Sequence, residues 1–307
     1  MPASCLPEQR RPRLAAALRE GRLLRAIECH NPLSAMLGAA ASYSTGSGDV
    51  TFDALWASGF AHATSLGLPD AELAILERRL DSLADIAAAT ALPIIADADT
   101  GGDGLAFGHL CRRLEAMGVS AAIIEDKTGA KRTSLADQVK HEMEEPGVFI
   151  QKIALAKSTL LSRDFLIFAR IESLIAGLGL EDALARAEVY LQGPCDGLVI
   201  HSKDKSGEDI FAFMRGYRGL QERLGIHKPL ILIPTAYNQV TGRDLHERGA
   251  QLVIHANHMI RAAYRAMHDV SRLILEHDRS LEADALCAPV GDIFDAVGVD
   301  APGLARR

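Results

Sequence analysis

The stretch Glu125-Asp126-Lys127-Thr128-Gly129-Ala130-Lys131-Arg132-Thr133-Ser134 follows the apolar run Ala121–Ile124. It sets two carboxylates at the end of a strand-like segment and then supplies cations and hydroxyls. Glu125 and Asp126 suit a hard divalent cation, directly or through water. Lys131, Thr133 and Ser134 suit phosphate-like oxygens. Asp97 and Asp99, two apart, are expected on one side of an extended segment. With Asp70 and Glu125 they make a carboxylate set that is costly without a cation. An all-oxygen set of few protein ligands favours Mg²⁺ over Zn²⁺. Arg170, Lys131 and His201 then face a small, highly anionic substrate. Each motif has a plainer reading alone: Asp97–Gly101 as a turn, Arg170 as a structural ion pair, His201 as a core histidine. Their joint occurrence at successive strand ends is what points to a site.

Eight short apolar runs alternate with helical patterns: Leu23–Glu28, Ala54–Ser58, Pro93–Asp97, Ala121–Glu125, Phe165–Arg170, Gly197–His201, Leu230–Pro234 and Leu252–His255. Leu73, Leu76, Leu80, Leu83 and Ile86 show the intervening helical period. This order predicts an α/β fold, a (β/α)₈ TIM barrel, whose strand C-termini gather polar residues on one face. Trp56, Ser58, Gly59 and Phe60 close the second run, and a glycine there lets backbone N–H groups approach an anion. No linker divides the chain, so residues 1–307 are read as one domain, with 1–12 as a flexible tail. Residues 40–52 read as a Gly/Ser-rich loop insertion. Residues 127–147 read as a gating loop, and 258–307 as a C-terminal helical extension.

The chain of 307 residues is 48% hydrophobic and 24% charged, with net charge −7. That balance is globular and argues against a nucleic-acid or anionic-membrane surface. No apolar run approaches the roughly 20 residues of a membrane span. Five scattered cysteines without a CxxC pair are expected as free thiols in a reducing, cytoplasmic compartment.

The motifs His30-Asn-Pro-Leu, Trp56-Ala-Ser-Gly-Phe, Asp97-Ala-Asp-Thr-Gly, Glu125-Asp-Lys-x5-Thr-Ser-Leu, Ala169-Arg-Ile-Glu, Ile200-His-Ser-Lys, Pro234-Thr-Ala-Tyr and Asn257-His-x-Ile-Arg-Ala span nearly the whole chain. Together they resemble the phosphoenolpyruvate mutase/phosphonopyruvate hydrolase group of the isocitrate lyase superfamily. The resemblance implies that Asp97 binds Mg²⁺, with Asp70, Asp99 and Glu125 acting largely through water; Mn²⁺ and Co²⁺ are alternative occupants. It implies that the backbone at Ser58, Gly59 and Phe60 holds substrate oxygens. Lys131, Thr133, Ser134, Arg170 and His201 would surround the transferring phosphorus group. It also implies a homotetramer with C-terminal helices swapped between subunits. Superfamily lyases carry Lys-x-Cys-Gly-His where this chain has Lys131-Arg132-Thr133-Ser134, so a lyase is not expected. Thr133 stands where mutases resemble Asn and the hydrolase has Thr. The expected activity is hydrolysis of 3-phosphonopyruvate to pyruvate and phosphate through a metal-stabilised enolate. The alternative is phosphoenolpyruvate/3-phosphonopyruvate interconversion. Asp70 is expected to orient water or receive the phosphoryl group.

Overall fold

A computed structural model of the chain describes residues 4–46, 48–73, 76–129, 133–134 and 141–298. Its strands are β1 (Leu24–Cys29), β2 (Ser42–Thr45), β3 (Gly48–Thr51), β4 (Ala54–Ala57), β5 (Ile94–Asp97), β6 (Ala121–Glu125), β7 (Lys127–Thr128), β8 (Glu142–Met143), β9 (Leu166–Ile171), β10 (Gly197–Ile200), β11 (Leu230–Leu232) and β12 (Ala250–His255). Eight of them, β1, β4, β5, β6, β9, β10, β11 and β12, pair in parallel and close into a barrel. The (β/α)₈ expectation from the apolar runs therefore holds.

The helices are α1 (Pro7–Arg19), α2 (Pro32–Ala40), α3 (Gly59–Ser65), α4 (Leu76–Ala88), α5 (Gly104–Ala116) and α6 (Pro146–Thr159) in the first half. In the second half they are α7 (Ser173–Ala176), α8 (Gly179–Gln192), α9 (Glu208–Leu224), α10 (Gly242–Glu247), α11 (His258–His277) and α12 (Val290–Val297). Local chemistry sets several starts. Asn31 Oδ1 accepts from Ser34 N at 2.8 Å ahead of Pro32, and Asp103 Oδ1 accepts from Ala106 N at 2.8 Å. Both supply acceptors to N–H groups that an α-helix start leaves unpaired.

Strand alternation divides the core in two. Ala54, Trp56, Ile95, Ala121, Ile123, Leu166, Phe168, Val199, Ile231 and Ile254 fill the barrel lumen. Leu55, Ile94, Ala122, Ile124, Ile167, Ala169 and Leu198 pack outward against the helices. Such filling on both faces is why the strands read as continuous apolar runs. Leu14 and Ala15 of α1 belong to the lumen cluster, so this helix stoppers it. Arg10 secures it from the side, its Nη2 donating to the carbonyl of Thr90 at 2.7 Å. Gly118 admits the helix start: at φ +77° a Cβ there would lie 2.4 Å from Pro7 Cα.

The 40–52 insertion differs from the loop expected. Ser42–Thr45 and Gly48–Thr51 pair antiparallel, with Tyr43 opposite Val50, as an exposed hairpin. The excursion after β6 also carries structure at its base, where Lys127 pairs with Met143 and Thr128 with Glu142.

Candidate active site

The parity that fills the lumen continues past the strand ends and builds the site. Ala121 and Ile123 point inward, so Glu125 and then Lys127 follow them; Leu166 and Phe168 likewise lead to Arg170 and Glu172. Ile95 leads to Asp97, Val199 to His201 and Trp56 to Ser58 by the same step. A cleft opens there, lined among others by Trp56, Ser58, Phe60, Asp70, Asp97 and Glu125. Thr133, Ser134, Arg170, His201, Thr235 and Asn257 add to its polar wall.

Glu172 is the hub of a buried ion network. Its Oε1 lies 2.6 Å from Arg170 Nε and 2.8 Å from His201 Nε2. Its Oε2 lies 3.0 Å from Lys127 Nζ and accepts from Ser134 Oγ at 2.6 Å. Glu125 bridges the same cations, with Oε1 3.0 Å from Arg170 Nη1 and Oε2 2.8 Å from Lys127 Nζ. Burial alone would push the Glu172 carboxyl up, but Arg170, His201 and Lys127 hold it well below the usual range. Glu125 comes out the other way. Burial raises it to about 7, a rise that Glu172 and Asp97 reinforce and Arg170 and Lys127 only partly offset. The His201 imidazole is pushed down by burial and by Arg170, which favours its neutral form. Its Nε2 sits 2.8 Å from Arg170 Nη2 and 2.8 Å from Glu172 Oε1. One neutral nitrogen accepts from the first or donates to the second, never both.

Three expectations change. Asp126 has outward parity and faces α8, away from the cleft, so it does not join Glu125 at a shared cation. Its carboxylate instead bonds the Glu172 amide and Tyr190. Asp99 does not stand beside Asp97 on an extended segment. Its φ of +51° turns the chain, and its carboxylate meets Arg79 Nη1 in an adjoining hollow. The Gly59 N–H, expected to face substrate oxygens, donates to Asp97 Oδ2 at 3.1 Å. Lys131 lies outside the described residues, as do residues 130, 132 and 135–140 of the expected gating loop.

Asp70, Asp97 and Glu125 bring only oxygen donors to the cleft, and the one imidazole there is engaged by Arg170 and Glu172. That chemistry fits a hard divalent cation. Among the described residues no three acidic, His or Cys side chains form a ready cluster for a metal. Water would have to fill most of such a cation's shell, as Mg²⁺ tolerates.

The model of a protein family described as phosphoenolpyruvate phosphomutase matches residues 14–275. The chain belongs to this family. It is 37% identical over 287 residues to a phosphonopyruvate hydrolase of Variovorax sp. (strain Pal2), covering 93% of each chain. It is 34% identical over 275 residues to a phosphoenolpyruvate phosphomutase of Tetrahymena pyriformis, covering 89% of this chain and 86% of the other. A solved structure of phosphonopyruvate hydrolase in complex with oxalate and Mg²⁺ matches with a TM-score of 0.83 at 35% identity, covering 96% of each chain.

Within this family member, Lys127 and Glu172 are the site residues that sequence reasoning passed over. Both stand at visible strand ends, and counting by twos from Ile123 and Phe168 reaches them. The same count excludes Asp126.

Proposed function

We propose that the protein hydrolyses 3-phosphonopyruvate to pyruvate and phosphate with Mg²⁺. The observation that carries this reading is the single cleft in which Asp70, Asp97 and Glu125 meet Arg170, His201 and Thr133. Such a wall suits a substrate with an anionic phosphoryl end and a chelating keto acid end.

Breaking the P–C bond leaves an electron pair on carbon, and the neighbouring keto group accepts it as an enolate. Water then supplies its oxygen to phosphorus and a proton to carbon, which balances the products. Asp97, with Asp70 and Glu125 through water, would hold Mg²⁺, which when bound would supply Lewis-acid charge for that electron pair. Arg170, Lys131 and His201 bind the phosphoryl oxygens and stabilise their charge as the group separates. Asp70 orients the attacking water or receives the phosphoryl group. Trp56, Ser58, Phe60 and Ser134 position the substrate, with Gly59 acting only through Asp97, and Thr133, shorter than Asn, leaves room for water. Asp99, engaged by Arg79, is the least suited of the four carboxylates to reach the metal.

Phosphoenolpyruvate phosphomutation is the second reading, favoured by the likeness to the Tetrahymena phosphomutase. There the phosphoryl group returns to the enolate oxygen and water is excluded. Pyruvate release from 3-phosphonopyruvate, followed by coupled lactate dehydrogenase, separates the two. Steady pyruvate production supports hydrolysis; none, with phosphoenolpyruvate accumulating, supports the mutase.

A homotetramer with exchanged C-terminal helices belongs to this proposal. Tyr264, Met267 and Leu275 of α11 and Phe294 of α12 are exposed apolar side chains that a neighbouring subunit would cover. No helix among the described residues is long and apolar enough to cross a membrane. The five unpaired cysteines support a reducing, cytoplasmic setting.

A further inference from the structure

Asp126 leaves the lumen and enters the layer between strands and helices. Its Oδ1 accepts the Glu172 amide at 2.9 Å. Its Oδ2 accepts the Tyr190 hydroxyl at 2.7 Å and lies 3.3 Å from Arg186 Nη1. The main chain of Asp126 is tied as well, its N–H to the carbonyl of Arg170 and its carbonyl to the Glu144 N–H, both at 3.0 Å.

Arg186 reaches further than this carboxylate. Its Nη1 also donates to the Glu144 carbonyl at 2.8 Å, and its Nε to Asp182 Oδ1 at 2.9 Å. Asp182 Oδ1 in turn accepts from Ser173 Oγ at 2.6 Å. One outer helix, α8, thus grips two things from behind the sheet: the peptide carrying Glu172, and the chain returning from the excursion after β7. Both grips matter because Glu172 lies beyond the end of β9, where its amide bonds a side chain instead of a neighbouring strand. Its carboxylate nonetheless orients Arg170, His201, Lys127 and Ser134.

We propose that Arg186 and Tyr190 are positioning residues for the Arg170–Glu172–His201 cluster, acting through Asp126 without touching substrate. The proposal rests on the cleft being the catalytic one, as in the function proposed above. Partners that orient a functional group from behind set its geometry and are felt in turnover when lost.

Three variants and one conservative rescue test it. Tyr190→Phe removes one hydroxyl and keeps the ring against Phe149, 5.1 Å away between centroids. Arg186→Met keeps the stem and loses both grips. Phe149→Leu loosens the same layer without touching Asp126. Hydrogen exchange of the segment 170–176 and steady-state kinetics are followed in each, beside Tm. The expected result is faster exchange in Tyr190→Phe and Arg186→Met, with kcat down about 10-fold or more and KM little changed. Arg186→Lys should restore part of kcat, while Phe149→Leu lowers Tm and leaves kcat in place. Unchanged exchange and kcat in the first two variants would overturn the proposal. So would kcat falling in step with Tm in all three. Wild-type protein inert towards both candidate substrates would sink the functional reading instead, and the exchange measurement would then decide the positioning claim alone.

Discussion

Arg170 and Glu125 are register partners in the β6–β9 ladder and meet as an ion pair, Nη1 to Oε1, at 3.0 Å. Strand pairing therefore delivers the guanidinium to one carboxylate, and parity delivers it to a second, Glu172, at 2.6 Å. The three groups are buried together, so none can be removed quietly.

Arg170→Met tests this. It leaves Glu125 and Glu172 sharing Lys127 alone, and breaking such a buried pair costs about 3–5 kcal/mol. The expected outcome is a clear fall in Tm together with a kcat loss of about 10²–10³. Full stability with lost turnover would mean the network is not structural, contrary to its geometry.

Thr133 lines the cleft beside Arg170 and His201. Replacing it with Asn fills the space assigned to water. Thr133→Asn is expected to slow phosphate release and raise the share of phosphoenolpyruvate among the products. Hydrolysis at the wild-type rate would remove Thr133 from the account of water access.

Chelation addresses the carboxylates. EDTA is expected to abolish turnover, and added Mg²⁺ to restore it in the wild type. In Asp97→Ala, Mg²⁺ should fail to restore it at any concentration near that needed by the wild type. Equal titration curves for the two proteins would exclude Asp97 as the principal ligand.

His201 provides the pH dependence. Its folded pKa lies below the ordinary 6.5, because of burial and the Arg170 charge. The neutral imidazole is therefore favoured at pH 6.5, and protonation of the folded state is displaced to lower pH. A depressed base of this kind also contributes stability fully above 6.5, and loses it as pH falls towards the folded value. An NMR titration of the His201 ring is expected to show its midpoint below 6.5. A midpoint above 6.5 would contradict the charge balance described.

The barrel was legible because both faces of its strands are buried. Eight apolar runs such as Ala121–Glu125 stand out from helices with a different period, and the polar residues ending them mark one face. What misled was adjacency. Asp126 sits next to Glu125 in the chain yet points to the opposite side of the sheet. Asp99 departs from Asp97 because the chain turns left-handed between strand and Gly101, a local conformation that counting by twos does not foresee. The hairpin at 42–51 was hidden by its glycines and serines, although Tyr43 and Val50 carry a strand signal as a cross-strand pair. Arg186 and Tyr190 lie in an ordinary amphipathic helix pattern, and only tertiary packing shows what they hold.

Cleavage of the P–C bond can be followed by ³¹P NMR of the purified protein with Mg²⁺ and 3-phosphonopyruvate. Loss of the phosphonate resonance is expected, with matching growth of inorganic phosphate, and neither change with EDTA. Growth of a phosphoenolpyruvate resonance without phosphate would contradict it and assign the protein to phosphomutation.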